Sequence, residues 1–257
     1  MSASDPEVEE FLAVMSAPPR RRAVPRLAEP LRDAEMRKIS GPQGAIAAWR
    51  VGEGPAALLV HGYEDDNSIW TAMIDALTQS ARAVVALDLP AHGFSEGAAC
   101  FPSDAADVLA PVAAALGPIQ SVVAHSMGCV AAAMAIDKGL KAERFAVIAS
   151  PTRINGRWRR MAEAMGVPDD VAEKARTLYQ ARVGPARTDL DPAQVFRRLR
   201  TKMLFVHSID DERTPFAGVQ DVADACRDAQ VLAVAGHDHR GVAMDKDVVA
   251  RIAEFVG

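Results

Sequence analysis

Short apolar runs recur along the chain, separated by longer segments with the periodicity of helices. The runs Met36–Ser40, Ala45–Val51, Ala56–Val60, Ala83–Leu87, Ser121–Ala124, Phe145–Ala149, Met203–His207 and Val231–Val234 predict about eight strands. The later runs are continuous rather than alternating, the pattern of strands buried on both faces. Between them, Ser68–Gln79, Ser103–Leu116, Met127–Lys138, Phe216–Arg227 and Asp247–Phe255 read as helices. This rhythm predicts the α/β class, a mostly parallel, doubly wound sheet covered on both sides. In such sheets function gathers at the carboxyl ends of the strands.

Two intervals depart from the rhythm. Residues 1–33 form an N-terminal arm, with one short amphipathic helix at Asp5–Met15 and then Pro18, Pro19, Pro25 and Pro30 as breakers. Between Ser150 and Lys202 about fifty residues carry helical character only. Intervals this long are commonly lids or binding elements, so 151–200 is expected to be a small helical cap inserted after the sixth strand. The core then comprises 34–150 and 201–257.

Composition narrows the class without naming a chemistry. The 257 residues are 49% hydrophobic and 25% charged, with a net charge of −5, as in an ordinary globular protein. That balance gives no electrostatic case for nucleic acid or an anionic membrane, although arginines cluster at Arg20–Arg22 and Arg157–Arg160. Cys100, Cys129 and Cys226 share no metal-like spacing, and Cys129 and Cys226 look like buried fillers. The N-terminus lacks the features of a signal peptide, and no apolar run reaches the length of a membrane span. A reduced, cytoplasmic protein is expected.

Candidate chemistry begins at Ala124-His125-Ser126-Met127-Gly128. An apolar, β-branched run leads in and an alanine-rich helical run leads out, which puts Ser126 on a sharp strand-to-helix bend. The usual pattern is G-x-S-x-G, and alanine at the first small position adds only a methyl. A serine hydroxyl needs a base and a group that orients the base. The strand-end turn His207-Ser208-Ile209-Asp210-Asp211-Glu212-Arg213-Thr214-Pro215 offers carboxylates, and the later loop Gly236-His237-Asp238-His239-Arg240 offers two histidines. Serine, acid, histidine is the chain order that accompanies such a bend.

From about residue 36 onward the chain resembles the α/β-hydrolase family. His61-Gly62 looks like the family's oxyanion turn, and Asp88 to Ser95 (D-L-P-A-H-G-F-S) looks like its D-x-P-x-H-G-x-S loop. In the resembling acid turn the aspartate lies four residues before the proline, which points to Asp211 over Asp210. The tail spacing fits His239 over His237. The resemblance implies Ser126 as nucleophile, His239 as base, Asp211 as the residue that orients it, and the backbone N–H groups of Tyr63 and Met127 as oxyanion donors.

Other residues receive plainer readings. His125, Trp158, Met161, Met165, Leu178 and Tyr179 are candidate substrate-pocket residues. His61 and His92 are expected to bond loop backbone, and His207 to be a satisfied turn histidine. Glu64, Asp65 and Asp66 are expected to form a solvated loop capping the Ser68 helix. The pair His237/His239 lacks the further ligands of a zinc hydrolase site. Gly52-Glu53-Gly54 precedes a strand instead of linking strand to helix, so no dinucleotide fingerprint is present. No metal and no cofactor are inferred. The expected activity is hydrolysis of a small-molecule carboxylic ester through an acyl-enzyme. Thioester or C–C bond hydrolysis and acyl transfer use the same triad. A ligand-sensing protein, with the arm as a partner-docking element, is the reading from a different class.

Overall fold

A computed structural model describes residues 5–18, 24–153, 157–184 and 190–257. Eight strands form one sheet: β1 (Arg37–Gly41), β2 (Gly44–Val51), β3 (Ala56–Val60), β4 (Ala83–Leu87), β5 (Ile119–His125), β6 (Arg144–Ile148), β7 (Lys202–Ser208) and β8 (Ala229–Val234). Their spatial order is β1-β2-β4-β3-β5-β6-β7-β8. The pairs β1–β2 and β2–β4 are antiparallel, and every other pair is parallel. The expected mostly parallel sheet is therefore present.

Strand composition follows position in the sheet. Every residue of β3 (A-A-L-L-V) and β4 (A-V-V-A-L) is buried, whereas the edge strands β1 and β8 keep exposed positions. Along β3, Ala56, Leu58 and Val60 face one hydrophobic layer and Ala57 and Leu59 the other, the period of two that a pleated strand dictates. The first layer is completed by α3 (Pro102–Leu116), α4 (Met127–Asp137), α7 (Pro192–Arg198) and α8 (Val219–Asp224). The second is completed by α2 (Thr71–Gln79) and α9 (Lys246–Val256). Each fully buried Leu or Phe in these layers contributes about 1.5–3 kcal/mol.

Helix α4 is apolar nearly all round, with Met127 through Ala135 buried, as a helix enclosed on every side must be. The expected helix at Ser68–Gln79 starts instead as a 3₁₀ turn, Asn67–Trp70. The one expected at Phe216–Arg227 is shortened to α8, because Gly218 adopts φ 89°, outside the helical region.

The arm and the cap share one core. Helix α1 (Pro6–Ser16) packs against α5 (Arg157–Met165) and α6 (Asp169–Val183). Val8, Phe11, Leu12 and Met15 meet Ala162, Val171, Ala172, Ala175 and Tyr179, with Phe101 of the body beneath them. The amide of Cys100 donates to the Ser16 carbonyl at 2.9 Å, tying the end of α1 to the body. Helix α7, within the interval expected to be cap, belongs to the sheet instead. Its Phe196 lies 6.3 Å from Phe145 and 5.3 Å from Phe205 between ring centroids. The arginine triplet 20–22 lies outside the described residues. Among the described residues no helix is long and apolar enough to cross a membrane.

Candidate active site

Strand β5 ends at His125 and α4 starts at Met127, so Ser126 alone turns the chain from extended to helical. It does so at φ 53°, ψ −126°, a region that costs a side-chain-bearing residue about 1–3 kcal/mol. The strain is held by Ser126 N–H donating to the Ile148 carbonyl at 2.9 Å and by Cys129 N–H donating back to Ser126 at 3.0 Å. Gly128 is required here: a Cβ would sit 2.4 Å from the His61 carbonyl oxygen. Ala124, by contrast, is a fully buried strand residue in register with Val60 and Val147, where the extra methyl is accommodated.

The bend presents Ser126 to two loops from distant strand ends. Ser126 Oγ lies 2.9 Å from His239 Nε2, and His239 Nδ1 lies 2.7 Å from Asp211 Oδ2. Asp211 follows β7, and His239 follows β8. Asp211 Oδ1 accepts the N–H groups of Arg213 and Thr214, both at 2.9 Å, and Oδ2 also accepts the Thr214 hydroxyl at 2.7 Å. Burial works against the charge on Asp211, but the bonds from His239 and from the Thr214 amide and hydroxyl outweigh it. The carboxyl is held well below the usual carboxylate range. Such a carboxylate accepts Nδ1–H, which leaves Nε2 of a neutral His239 as the acceptor facing Ser126. The nearby thiol of Cys129 is pushed up by burial and donates to the Ala124 carbonyl at 3.1 Å, so it stays protonated.

The rival residues border the same groove as His239 but make different contacts. Asp210 Oδ2 accepts the Gly236 amide at 2.7 Å, clasping the acid turn to the histidine loop. His237 lines an open groove with Glu212, Asp238 and Met244.

The turn after β3 lies over Ser126. A Cβ on Gly62 would come within 2.9 Å of both Ser126 Cβ and His125 Nδ1. His61 accepts the Leu89 amide at Nε2, 2.9 Å away, which makes Nδ1–H the donor to the Gly62 carbonyl at 2.7 Å. His92 likewise donates from Nδ1 to Pro90 at 2.8 Å and accepts the Glu64 amide at 3.3 Å. Both histidines bond loop backbone. Buried Asp88 accepts Asn67 N, Asn67 Nδ2 and Phe94 N; burial pushes its carboxyl up, against His61 and these bonds. Met127 is the first residue of α4, where an N–H has no intrahelical carbonyl to meet.

The acidic stretch after Tyr63 is not a solvated loop. Asp65 and Asp66 are buried. Asp66 does cap the following turn, accepting Ser68 N–H at 3.1 Å. Asp65 pairs with Arg240 at 2.7 Å, next to His239 in the chain, and Glu64 pairs with Arg213 at 2.6 Å, two residues after Asp211. The turn after β3 is thereby clipped to the loops that carry Asp211 and His239. A count of charges predicts exposure and misses such partners.

The expected pocket residues are redirected. Trp158 lies 6.2 Å from Phe11, and Tyr179 stacks 3.9 Å from Phe101. Met161 and Leu178 pack in the same cluster, and Met165 is 43% exposed. The apolar stripes of α5 and α6 face α1 because the arm supplies the surface they bury. His125 is 1% exposed and lies beneath the site rather than in its wall. Thr214 was not singled out in the sequence; the sign was the aspartate–threonine spacing of D-E-R-T, which favours side-chain-to-backbone turns. Among the described residues no cluster of three His, Cys, Asp or Glu could hold a metal ion.

Residues 57–252 match the alpha/beta hydrolase family, and the chain belongs to it. No curated protein matches the chain in sequence. Among solved structures, an esterase of Pyrococcus furiosus aligns with TM-score 0.72 at 15% identity, covering 94% of this chain and 98% of its own. An esterase from Exiguobacterium antarcticum gives 0.66 at 14%, covering 85% and 98%. A thermophilic esterase from Thermogutta terrifontis gives 0.64 at 18%, covering 86% and 97%.

Proposed function

We propose that this protein is a serine hydrolase that cleaves a small-molecule carboxylic ester without a cofactor. The observation that carries the reading is the continuous relay from Asp211 Oδ2 through His239 to Ser126 Oγ, with contacts of 2.7 and 2.9 Å. Ser126 Oγ attacks the ester carbonyl as His239 Nε2 takes its proton. The carbonyl oxygen, now negative, meets the N–H groups of Tyr63 and Met127; one such donor is typically worth about 10²–10³ in rate. Collapse breaks the bond to the alkoxide, which leaves with the proton from His239. Water, deprotonated by His239, then attacks the acyl-serine and frees acid and Ser126.

Ester rather than another acyl bond is favoured by the esterase descriptions of the structural neighbours. The sensing alternative rests on the proline- and arginine-rich segment of the arm, of which residues 19–23 lie outside the described residues; the apolar face of α1, with Val8, Phe11, Leu12 and Met15, is taken up by the cap core. Three free thiols support a reducing, cytoplasmic compartment. The test is labelling by a fluorophosphonate together with turnover of a p-nitrophenyl ester series. Stoichiometric labelling and turnover, both lost in Ser126→Ala, are expected. Labelling without turnover at any acyl length would overturn the reading.

A further inference from the structure

His125 touches three parts of the catalytic apparatus without belonging to the triad. It precedes Ser126 in the chain. Its Nε2 lies 2.8 Å from the main-chain carbonyl of His239, and its ring is tilted against the His239 ring with centroids 4.9 Å apart. Its other nitrogen abuts Gly62 of the oxyanion turn, where a Cβ would approach to 2.9 Å. A carbonyl can only accept, so Nε2 carries the hydrogen and Nδ1 carries a lone pair. That lone pair is buried and has no hydrogen-bond partner.

This arrangement is costly for a residue that merely fills space. An unpaired buried acceptor costs about 1–3 kcal/mol, and a phenylalanine would fill a similar volume without it. What a phenylalanine lacks is the donor to His239. The loop bearing His239 enters from β8, three strands away from β5 in the sheet order, so no ladder hydrogen bond fixes the imidazole against Ser126. The Arg240–Asp65 pair holds the next residue of the loop, and the His125 bond holds His239 itself.

Resting on the serine-hydrolase reading above, we propose that His125 is a positioning residue. Its Nε2–H donates to the His239 carbonyl and sets the height and tilt of the catalytic imidazole over Ser126, while its ring buttresses Gly62. The proposal concerns orientation only; His125 exchanges no proton during turnover.

The test compares His125→Phe, which keeps the ring but not the donor, with His125→Gln, whose amide nitrogen reaches the place of Nε2. The readouts are the fluorophosphonate labelling rate and kcat and KM on the best p-nitrophenyl ester, with Tm measured alongside. The phenylalanine variant is expected to lose about 10²-fold in labelling rate and kcat, as for a small displacement of a reacting group. KM should change little, and glutamine should recover most of the loss. Equal deficits in both variants, or a phenylalanine variant that labels at the wild-type rate, would overturn the assignment. Wild-type protein that does not label at all would instead sink the hydrolase reading, so the two failures are distinct.

Discussion

The hydroxyl of Thr214 lies 2.7 Å from Asp211 Oδ2, the same oxygen that receives His239 Nδ1. The threonine thus fixes the carboxylate plane that in turn fixes the imidazole. Its own main-chain oxygen receives His207 Nε2 at 2.6 Å, which pins the turn from the other side. Thr214→Val keeps the shape and deletes the hydroxyl. A hydrogen bond to a charged group is worth about 1.5–3 kcal/mol, so kcat/KM should fall about 10- to 150-fold. Asp211→Asn should fall by about 10⁴-fold. Steady-state kinetics on one ester decides it, and equal losses would deny Thr214 a merely supporting place.

Acid should weaken the fold partly through His125. Burial, the neighbouring His239 and Arg240 push its imidazole down to about 4, against the bond to the His239 backbone and the charge of Asp65. Between an ordinary histidine value of about 6.5 and about 4, the unfolded chain takes up a proton that the folded chain refuses. Stability therefore falls with pH across that window. In His125→Gln the corresponding slope should be absent, so the Tm difference from wild type should shift in the variant's favour as pH drops from 7 to 4. Parallel Tm–pH curves would contradict this.

Asp211 adds a second acid-sensitive element. Its depressed carboxyl contributes stability above the ordinary aspartate value of about 3.9, and that contribution is lost as pH falls toward its folded value. The Tm gap between wild type and Asp211→Asn should narrow below about pH 4. A gap that stays constant down to pH 3 would count against the hydrogen-bonded carboxylate.

The two clips on the turn after β3 should differ in worth. Asp65–Arg240 has side chains 4% and 20% exposed, whereas Glu64–Arg213 has 25% and 50%. A partly buried pair that loses one partner strands a charge; an exposed pair is worth about 0–1 kcal/mol. Asp65→Asn should therefore lower both Tm and kcat, while Glu64→Gln should shift Tm by no more than about 4 °C. Thermal melts of the two variants at one salt concentration make the comparison, and similar losses would refute the ranking.

Gly128→Ala should cost more than its size suggests. The added methyl would meet main-chain oxygens of Val60 and His61 at 2.5 and 2.4 Å, and neither can move without displacing the turn after β3. Overpacking of this kind costs about 1–3 kcal/mol, roughly 2–10 °C in Tm for a chain this long. Ala124→Gly, on the other side of the serine, should cost under about 1 kcal/mol. Differential scanning fluorimetry of both variants is sufficient, and a reversed order would invalidate the steric account.

Much of this architecture was legible in the chain because continuous apolar runs such as A-A-L-L-V suit strands buried on both faces. The order of Ser126, Asp211 and His239 was legible because each closes a strand at one rim of the sheet. The facing of the cap's apolar side chains was not legible, for a physical reason. The apolar stripe carrying Trp158 and Tyr179 says that a face is covered, but not by what, and the cover came from α1. Glu64 and Asp65 were misread because arginines close to them in space, Arg213 and Arg240, lie about 150 and 175 residues away. The Thr214 hydroxyl left a sign in the D-E-R-T spacing, whereas the His125 donor depends on a placement in space that no pattern of residue types encodes.

Phe11 and Trp158 meet across roughly 150 positions of chain. Contacts this distant are entropically slow to close. The aromatic patch of Phe101, Trp158 and Tyr179 is therefore expected to be sealed only once α1 has docked, later than the more local strand pairings.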